Sequence, residues 1–477
     1  MHAPALIALL ASLALYLLVL ALIAGIGDQD AALHALYTRF PAEPSRLLSV
    51  WSRPLFAIPY LLPAQLGYPA MRVFTVLVCA AAAWLTYLIA RKIAPRGAWI
   101  AIPLVLLQPS LLAVGTDTMT EPIFALALAA GLLALARDRL LIAAAIWSFL
   151  PLARPEGLPI LGLLGLLWLP RAVRERRFRA AVALLPLGLV VWEVVCVIVT
   201  RDPLYLVHTF PWTVGSSPAH GTVLHYVHRW PAIVGWGVLV LSLVGVWPSW
   251  RQPLLRLCII MVAAIVLVHT YLFAFGKMGS WGFDRYFATL APANALVAVA
   301  GVGWLDLRVI GPRLTNRLVA LLLALEAWQA FTMVVFQPMN YLAGATRDAL
   351  RVAERQLDLR GRTFVSTDHF GYVFFDDDSG SRLLPVATHD VTAPAVARFP
   401  RGTVVLWDDM IGDWWFHLSL DDFTSRGYRV LWSREKLLGS RFAEELERIP
   451  LLRNGRLYPW LGMSPTRPVH QALLVRE

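Results

Sequence analysis

The sequence predicts a polytopic α-helical membrane protein of about eleven spans, with a small soluble α/β domain at its C-terminal end. Three observations carry this. The 477 residues are 58% hydrophobic and 15% charged, with a mean hydropathy of +0.62, whereas a soluble protein carries about 25% charged residues. Apolar runs of spanning length recur from residue 3 to about 336. Beyond about 340 the composition changes to short β-branched and aromatic runs separated by turns.

The elements follow in order. Residues 3–26 give roughly 36 Å of helix, enough to cross a bilayer. A cleaved signal peptide is the competing reading. The run is longer than a typical h-region, lacks a basic n-region and has no A-x-A at its C-terminal end, just before Gly27. Further apolar runs lie at 71–90, 98–115, 122–136, 140–152, 157–170, 179–199, 232–248, 254–275, 287–305 and 318–336. The three cysteines, Cys79, Cys196 and Cys258, fall inside such runs and read as packing residues.

Basic residues orient the spans. "RKIAPRG" (91–97), "ARDRL" (136–140), "RAVRERRFR" (171–179), "SWRQPLLR" (249–256) and "DLRVIGPRLTNR" (306–317) occupy every second connection. Short Arg-rich loops face the cytoplasm, so the N-terminus is expected inside and the C-terminal domain outside. The net charge of +11 is accounted for by such loops and by lipid headgroups. No basic segment interleaved with aromatics suggests nucleic acid. The expected division is a membrane domain at 1–339 and an extracytoplasmic α/β domain at 340–477. In the latter, 343–359 and 419–426 read as helical, "RTFVSTDHFGYVFFDDDSG" and "GTVVLWDDM" as strand and turn.

The unusual polar residues gather on the connections assigned to the outer side. These carry Asp28, Asp30 and His34, then "WSRPLF" (51–56), "GTDTMTEP" (115–122) and "ARPEG" (153–157). The long 200–231 loop follows, with His208, His220, His225 and His228, and then "GKMGSWGFDRYF" (276–287). Ionisable groups at membrane depth are functional candidates. Each also has a structural reading. Asp28 and Asp30 can cap the next helix, Glu121 can favour a helix dipole, Arg154 can pair with Glu156, and Arg285 with Asp284. The histidines lack ligand spacing, and the acids of "DDD" (376–378) and "WDD" (407–409) read as turn and strand-end residues, so no metal site is expected.

The motifs "GDQD" after the first span, "SRPLFAIPYLL", "TEPIFALAL", "ARPEG" and "FDRYFATLAP" resemble the GT-C superfamily of membrane glycosyltransferases. They are similar in style to lipid-linked mannosyltransferases and the bacterial aminoarabinose transferase group. The acids of that first-loop motif are more often adjacent; here Gln29 separates them. The resemblance implies an inverting transfer from a polyprenyl-phosphate sugar to a glycan, lipid or protein acceptor on the outer face. It implies Asp30, or Asp28, as general base, and Arg154, Arg285, Arg53 and Lys277 as ligands of the donor phosphate. Glu121, Glu156, Asp117 and Tyr286 would orient these cations or the sugar. No cofactor is firmly implied; a divalent cation stays open but has no support in the sequence. No N-x-S/T sequon occurs and every cysteine lies in an apolar run, which favours a bacterial inner membrane. The rival classes are a polytopic transporter and a non-catalytic assembly protein.

Overall fold

The computed structural model describes residues 3–39, 47–95, 97–210, 219–357, 359, 362–379, 396–413, 416–438 and 467–477. The chain divides into two compact units. One comprises Met1–Leu18, Phe40–Leu62 and Arg72–Phe331; the other comprises Val19–Arg39, Pro63–Met71 and Thr332–Glu477. Segments 19–39 and 63–71, distant from the C-terminal portion in sequence, therefore fold with it.

The first unit is helical. Among the described residues of the chain, six helices are long and apolar enough to cross a membrane: Ala3–Leu22, Tyr68–Ile93, Arg176–Thr200, Pro253–Ala274, Asp284–Arg308 and Gly311–Val335. Shorter apolar helices occupy Glu121–Ala136, Leu140–Ala153 and Gly157–Ala172. These are lengths at which apolar composition makes the membrane the favourable solvent, and the chain is an integral membrane protein.

Two runs expected to be continuous are broken. Ala98–Leu106 and Pro109–Gly115 meet at 65°, and His225–Val234 and Trp236–Trp250 at 110°. Pro109 opens its helix without a backbone N–H to offer. Beside it the buried Gln108 side chain donates to the carbonyls of Leu104 (2.7 Å) and Ala291 (3.0 Å). At the second break Gly235 has φ +84°, a conformation open mainly to glycine. Glu326, fully buried, accepts the N–H of Gly237 at 2.7 Å and of Val238 at 3.3 Å. Gln329 accepts the N–H of Trp236 (2.9 Å) and donates to the Pro231 carbonyl (2.8 Å). A buried polar group left unpaired costs about 1–3 kcal/mol, so these side chains from Gly311–Val335 make the bend tolerable. The segment "WSRPLF" (51–56), assigned to an outer connection, instead enters a helix at Pro54–Gln65.

The second unit is α/β. Its four strands, β1 (Phe364–Ser366), β2 (Val404–Asp408), β3 (Tyr428–Leu438) and β4 (Arg467–Arg476), lie in the order β1-β2-β4-β3. β1 pairs with β2 in parallel, and β4 runs antiparallel to both β2 and β3. Val365, Val405, Trp407, Phe423, Tyr428 and Leu474 share one core. The two expected helices appear at Leu342–Gln356 and Leu420–Thr424. The latter is started by a capping box between Ser419 and Asp422.

One expectation fails here. "HFGYVFFDDDS", read as strand and turn, is the helix His369–Ser379, so Asp376–Asp378 end a helix rather than occupy a turn. Helical spacing brings Phe370 and Phe374 together on Tyr68, with ring centroids 6.0 and 6.1 Å away, and stacks Phe375 on Phe364 at 4.7 Å. Packing overrides the β-propensity of the aromatics. Asp408 does end a strand, as expected. Trp407 is buried in the core and donates to the Leu418 carbonyl, while 414–415 lie outside the described residues.

Candidate active site

In the first unit a buried ionic cluster forms where the helix Glu121–Ala136 begins. Glu121 is its first residue and Pro122 its second, so the N-terminal turn presents a carboxylate and few free N–H groups. Arg154 comes from the connection that precedes Gly157–Ala172. Its Nη1 lies 2.6 Å from Glu121 Oε1, and its Nη2 lies 2.8 Å from Glu156 Oε1. Arg154 Nε also donates to both Glu156 oxygens at 3.1 Å, the fork-on-fork geometry that suits guanidinium. Nη1 reaches the Thr120 hydroxyl at 3.2 Å. Arg53 hydrogen-bonds the same hydroxyl, and Arg285 Nη1 stands 3.7 Å from Glu121 Oε1. Glu121 is 0% exposed, Arg154 3% and Arg53 4%.

Tyr286 packs against the cluster. The Arg154 and Arg285 guanidinium carbons lie 5.7 and 5.8 Å from its ring centroid, within cation–π range. The His269 ring stacks on Tyr286 at 4.6 Å and 17°, with Nε2 3.6 Å from Glu156 Oε1. Arg53 adopts φ +56° immediately before Pro54, a left-handed conformation that costs on the order of 1–3 kcal/mol for a side-chain-bearing residue. Breaking a buried ion pair costs about 3–5 kcal/mol, whereas an apolar replacement of the whole set is often neutral. Stability alone therefore does not account for these charges.

The remaining candidates divide. Asp117, fully buried, lies in the turn before Thr120 and accepts the Thr118 N–H at 2.7 Å. In the same turn Arg72 donates to the Thr116 carbonyl at 2.8 Å. Lys277 is not drawn in: among the described residues no hydrogen bond or ion pair links its side chain to the cluster. The expected Asp284–Arg285 pair is replaced. Asp284 instead binds Arg229, Nε to Oδ2 at 3.1 Å, which leaves Arg285 directed to Glu121. Among the histidines, His208 pairs with Asp202 and His225 faces the Gly282 carbonyl.

In the second unit the acidic turn starts the helix Gln29–Arg39. Asp28 caps it, its Oδ1 accepting the Asp30 N–H at 3.0 Å. Asp30 falls in the first turn, where a carboxylate complements the dipole. Gln29, between them, donates to Asp368 Oδ1 at 2.9 Å and accepts the His369 N–H at 2.7 Å. Asp368 and Asp408 sit where β1 and β2 end, and burial pushes both carboxyls above the usual range.

Sequence reasoning missed His269, Arg72, Gln29 and Asp368. An ionisable residue within "LVHTYLF" was signal enough for His269. Gln29 and Asp368 carried none, since their partnership spans 339 residues.

No protein-family profile and no curated protein matches the chain. Solved structures do. Two crystal structures of ArnT from Cupriavidus metallidurans, one in the apo state and one bound to undecaprenyl phosphate, superpose with a TM-score of 0.59 at 11% identity. The alignments cover 84% and 86% of this chain and 92% and 93% of the ArnT chains. The fold is thus like that of these two structures, with membrane helices followed by a small sheet domain.

Proposed function

We propose that this chain is an integral-membrane glycosyltransferase of a bacterial inner membrane that discharges a polyprenyl-phosphate sugar onto an acceptor hydroxyl at the outer face, with inversion. The observation that carries this reading is the convergence of Arg53, Arg154 and Arg285 on Thr120 and Glu121 in a buried setting. Guanidinium groups at a helix start suit a phosphate that is membrane-bound through its lipid. The ArnT-like fold, seen in that enzyme with undecaprenyl phosphate, is consistent with it.

In the proposed step the acceptor hydroxyl attacks the anomeric carbon as Asp30, or Asp28, takes its proton. The bond from that carbon to the phosphate oxygen breaks, and its electron pair leaves with the phosphate. Arg154 and Arg285, assisted by Arg53, stabilise the charge gained by the phosphate. Glu121 and Glu156 hold Arg154 in its fork geometry, and Tyr286 and Asp117 orient the sugar. Lys277, expected from the sequence to join them, makes no hydrogen bond or ion pair with the cluster among the described residues and is given no part in this step.

The test is purified full-length protein with a panel of polyprenyl-phosphate sugars and membrane-extract acceptors, reading free polyprenyl phosphate. Release with at least one donor is expected. Asp30→Asn should lower it by about 10²–10⁴-fold, the usual contribution of a positioned base. Asparagine still caps a helix, so Asp28→Asn isolates charge from capping. Wild-type rates in both variants would overturn the base assignment. The two helix pairs broken by 65° and 110° favour a second reading, transport. Flux of labelled substrate into proteoliposomes with no glycosylated product would select it.

A further inference from the structure

The amide that separates the two acids is clamped at both ends. Gln29 Nε2 donates to Asp368 Oδ1 (2.9 Å), and Gln29 Oε1 accepts the His369 N–H (2.7 Å). Asp368 is itself 1% exposed. Its Oδ1 also accepts the Phe370 N–H at 2.9 Å, and its Oδ2 accepts the Thr346 hydroxyl. It therefore caps the helix His369–Ser379, as Asp28 caps Gln29–Arg39. Two helix N-termini, each closed by an aspartate, are laced together through one glutamine. A second restraint lies just before the turn. Gly27 has φ +71°, and a Cβ there would come within 1.9 Å of the Met339 carbonyl oxygen.

A glutamine at the first helical position is ordinarily solvated. Here only a neutral side chain with one donor and one acceptor fits. A carboxylate would lose the donor and face Asp368, and an alanine would leave Asp368 and the His369 N–H short of a partner. The separation of Asp28 from Asp30 by Gln29 thus has a physical use.

We infer that Gln29 and Asp368 are positioning residues, through which the C-terminal α/β unit fixes the orientation of the acidic turn Asp28–Asp30. The inference rests on the proposed role of those acids. Neither Gln29 nor Asp368 touches substrate in this scheme; each acts through the turn. An acceptor bound by the sheet unit would then meet a base whose position that same unit sets, so loading and proton transfer share one frame.

The experiment uses the full-length protein in nanodiscs as wild type, Gln29→Glu, Asp368→Asn and the combined double variant. Two readouts are taken: hydrogen exchange of amides 28–32, and kcat and KM for the donor. Gln29→Glu sets two carboxylates face to face. Exchange should rise about tenfold or more and kcat fall about tenfold, with donor KM within about twofold. In the double variant the amide introduced at 368 donates to the carboxylate introduced at 29, and both readouts should recover by about fivefold or more, although the Phe370 N–H loses an acceptor. Unchanged exchange in Gln29→Glu, or a double variant no better than the worse single, overturns the inference. Altered exchange with unchanged kcat also overturns it, because the clamp would then be structural only. If wild type turns over no polyprenyl-phosphate donor, the functional reading falls and the positioning role falls with it. In that case the exchange data still report whether the clamp holds the turn.

Discussion

Around Thr120 and Glu121, guanidiniums meet carboxylates at ionic distances, whereas Asp368 and Asp408 are satisfied by hydroxyls, a side-chain amide and backbone N–H groups. Both sets are buried, yet they are built for different ends. The first places charge inside the membrane unit, where a buried ion is expensive, and its cations can exchange a carboxylate for another anion. The second offers no cation to exchange among the contacts named, and defines positions only. Burial of polar groups thus does not mark a ligand site by itself; the kind of partner does.

The largest effect expected from breaking this contrast is at Arg154. Arg154→Ala removes a donor to the proposed phosphate and leaves Glu121 with only the more distant Arg285, and Glu156 with only His269, among the ionic partners named. Polyprenyl phosphate release should fall by about 10³-fold, with folding weakened by about 3–5 kcal/mol. Arg154→Lys keeps the charge but not the fork, and should fall between the two. A release assay beside a thermal melt separates the two losses; equal turnover in all three proteins would remove the ionic cluster from the chemistry.

Glu326→Ala sharpens the contrast within one unit. This carboxylate is also buried, but it serves the N–H groups of Gly237 and Val238. Stability should drop by about 1–2 kcal/mol, as for a lost helix cap, while turnover per folded molecule stays within about twofold. A large loss of kcat with an unchanged melt would place the bent pair in the reaction.

The smallest effect on turnover is expected at Asp408, where the Asn variant should match wild type and only the pH dependence of stability should differ. Burial, helped by the neighbouring Asp368, raises the Asp408 carboxyl above its ordinary range. A group raised in the folded state contributes stability that is complete below its unfolded value, and that is lost as pH rises through the folded one. Asp408→Asn does not ionise. Relative to this variant, wild type should lose exchange protection of β2 as pH rises above about 4, by up to about tenfold for each pH unit until the folded carboxyl ionises. Parallel pH profiles would show that the carboxyl ionises without penalty.

Much of the fold was legible. The apolar runs named from the sequence are helical, two of them as bent pairs of helices, because partitioning into lipid depends on local composition alone. The breaks at 107–108 and 235 were not, since their tolerance depends on Gln108, Glu326 and Gln329 finding carbonyls and N–H groups elsewhere. "HFGYVFF" was misread for a similar reason: aromatics favour strands only where a sheet receives them, and here Tyr68 and Phe364 receive a helix instead. Of the site, Arg154 with Glu156 was readable from "ARPEG", two residues apart. Glu121 as the shared partner of Arg154 and Arg285 was not.

The sequence by itself determined that the chain is a membrane protein with an α/β end, and which residue types were unusual enough to suspect. Those are sums over neighbouring residues, and hydropathy and periodicity are local. Only the tertiary structure decided that Arg285 turns to Glu121 rather than Asp284, and that Gln29 binds Asp368 across 339 residues. Pairings of that kind depend on which backbone segments packing brings within about 3 Å of each other, and no local property of either partner encodes that.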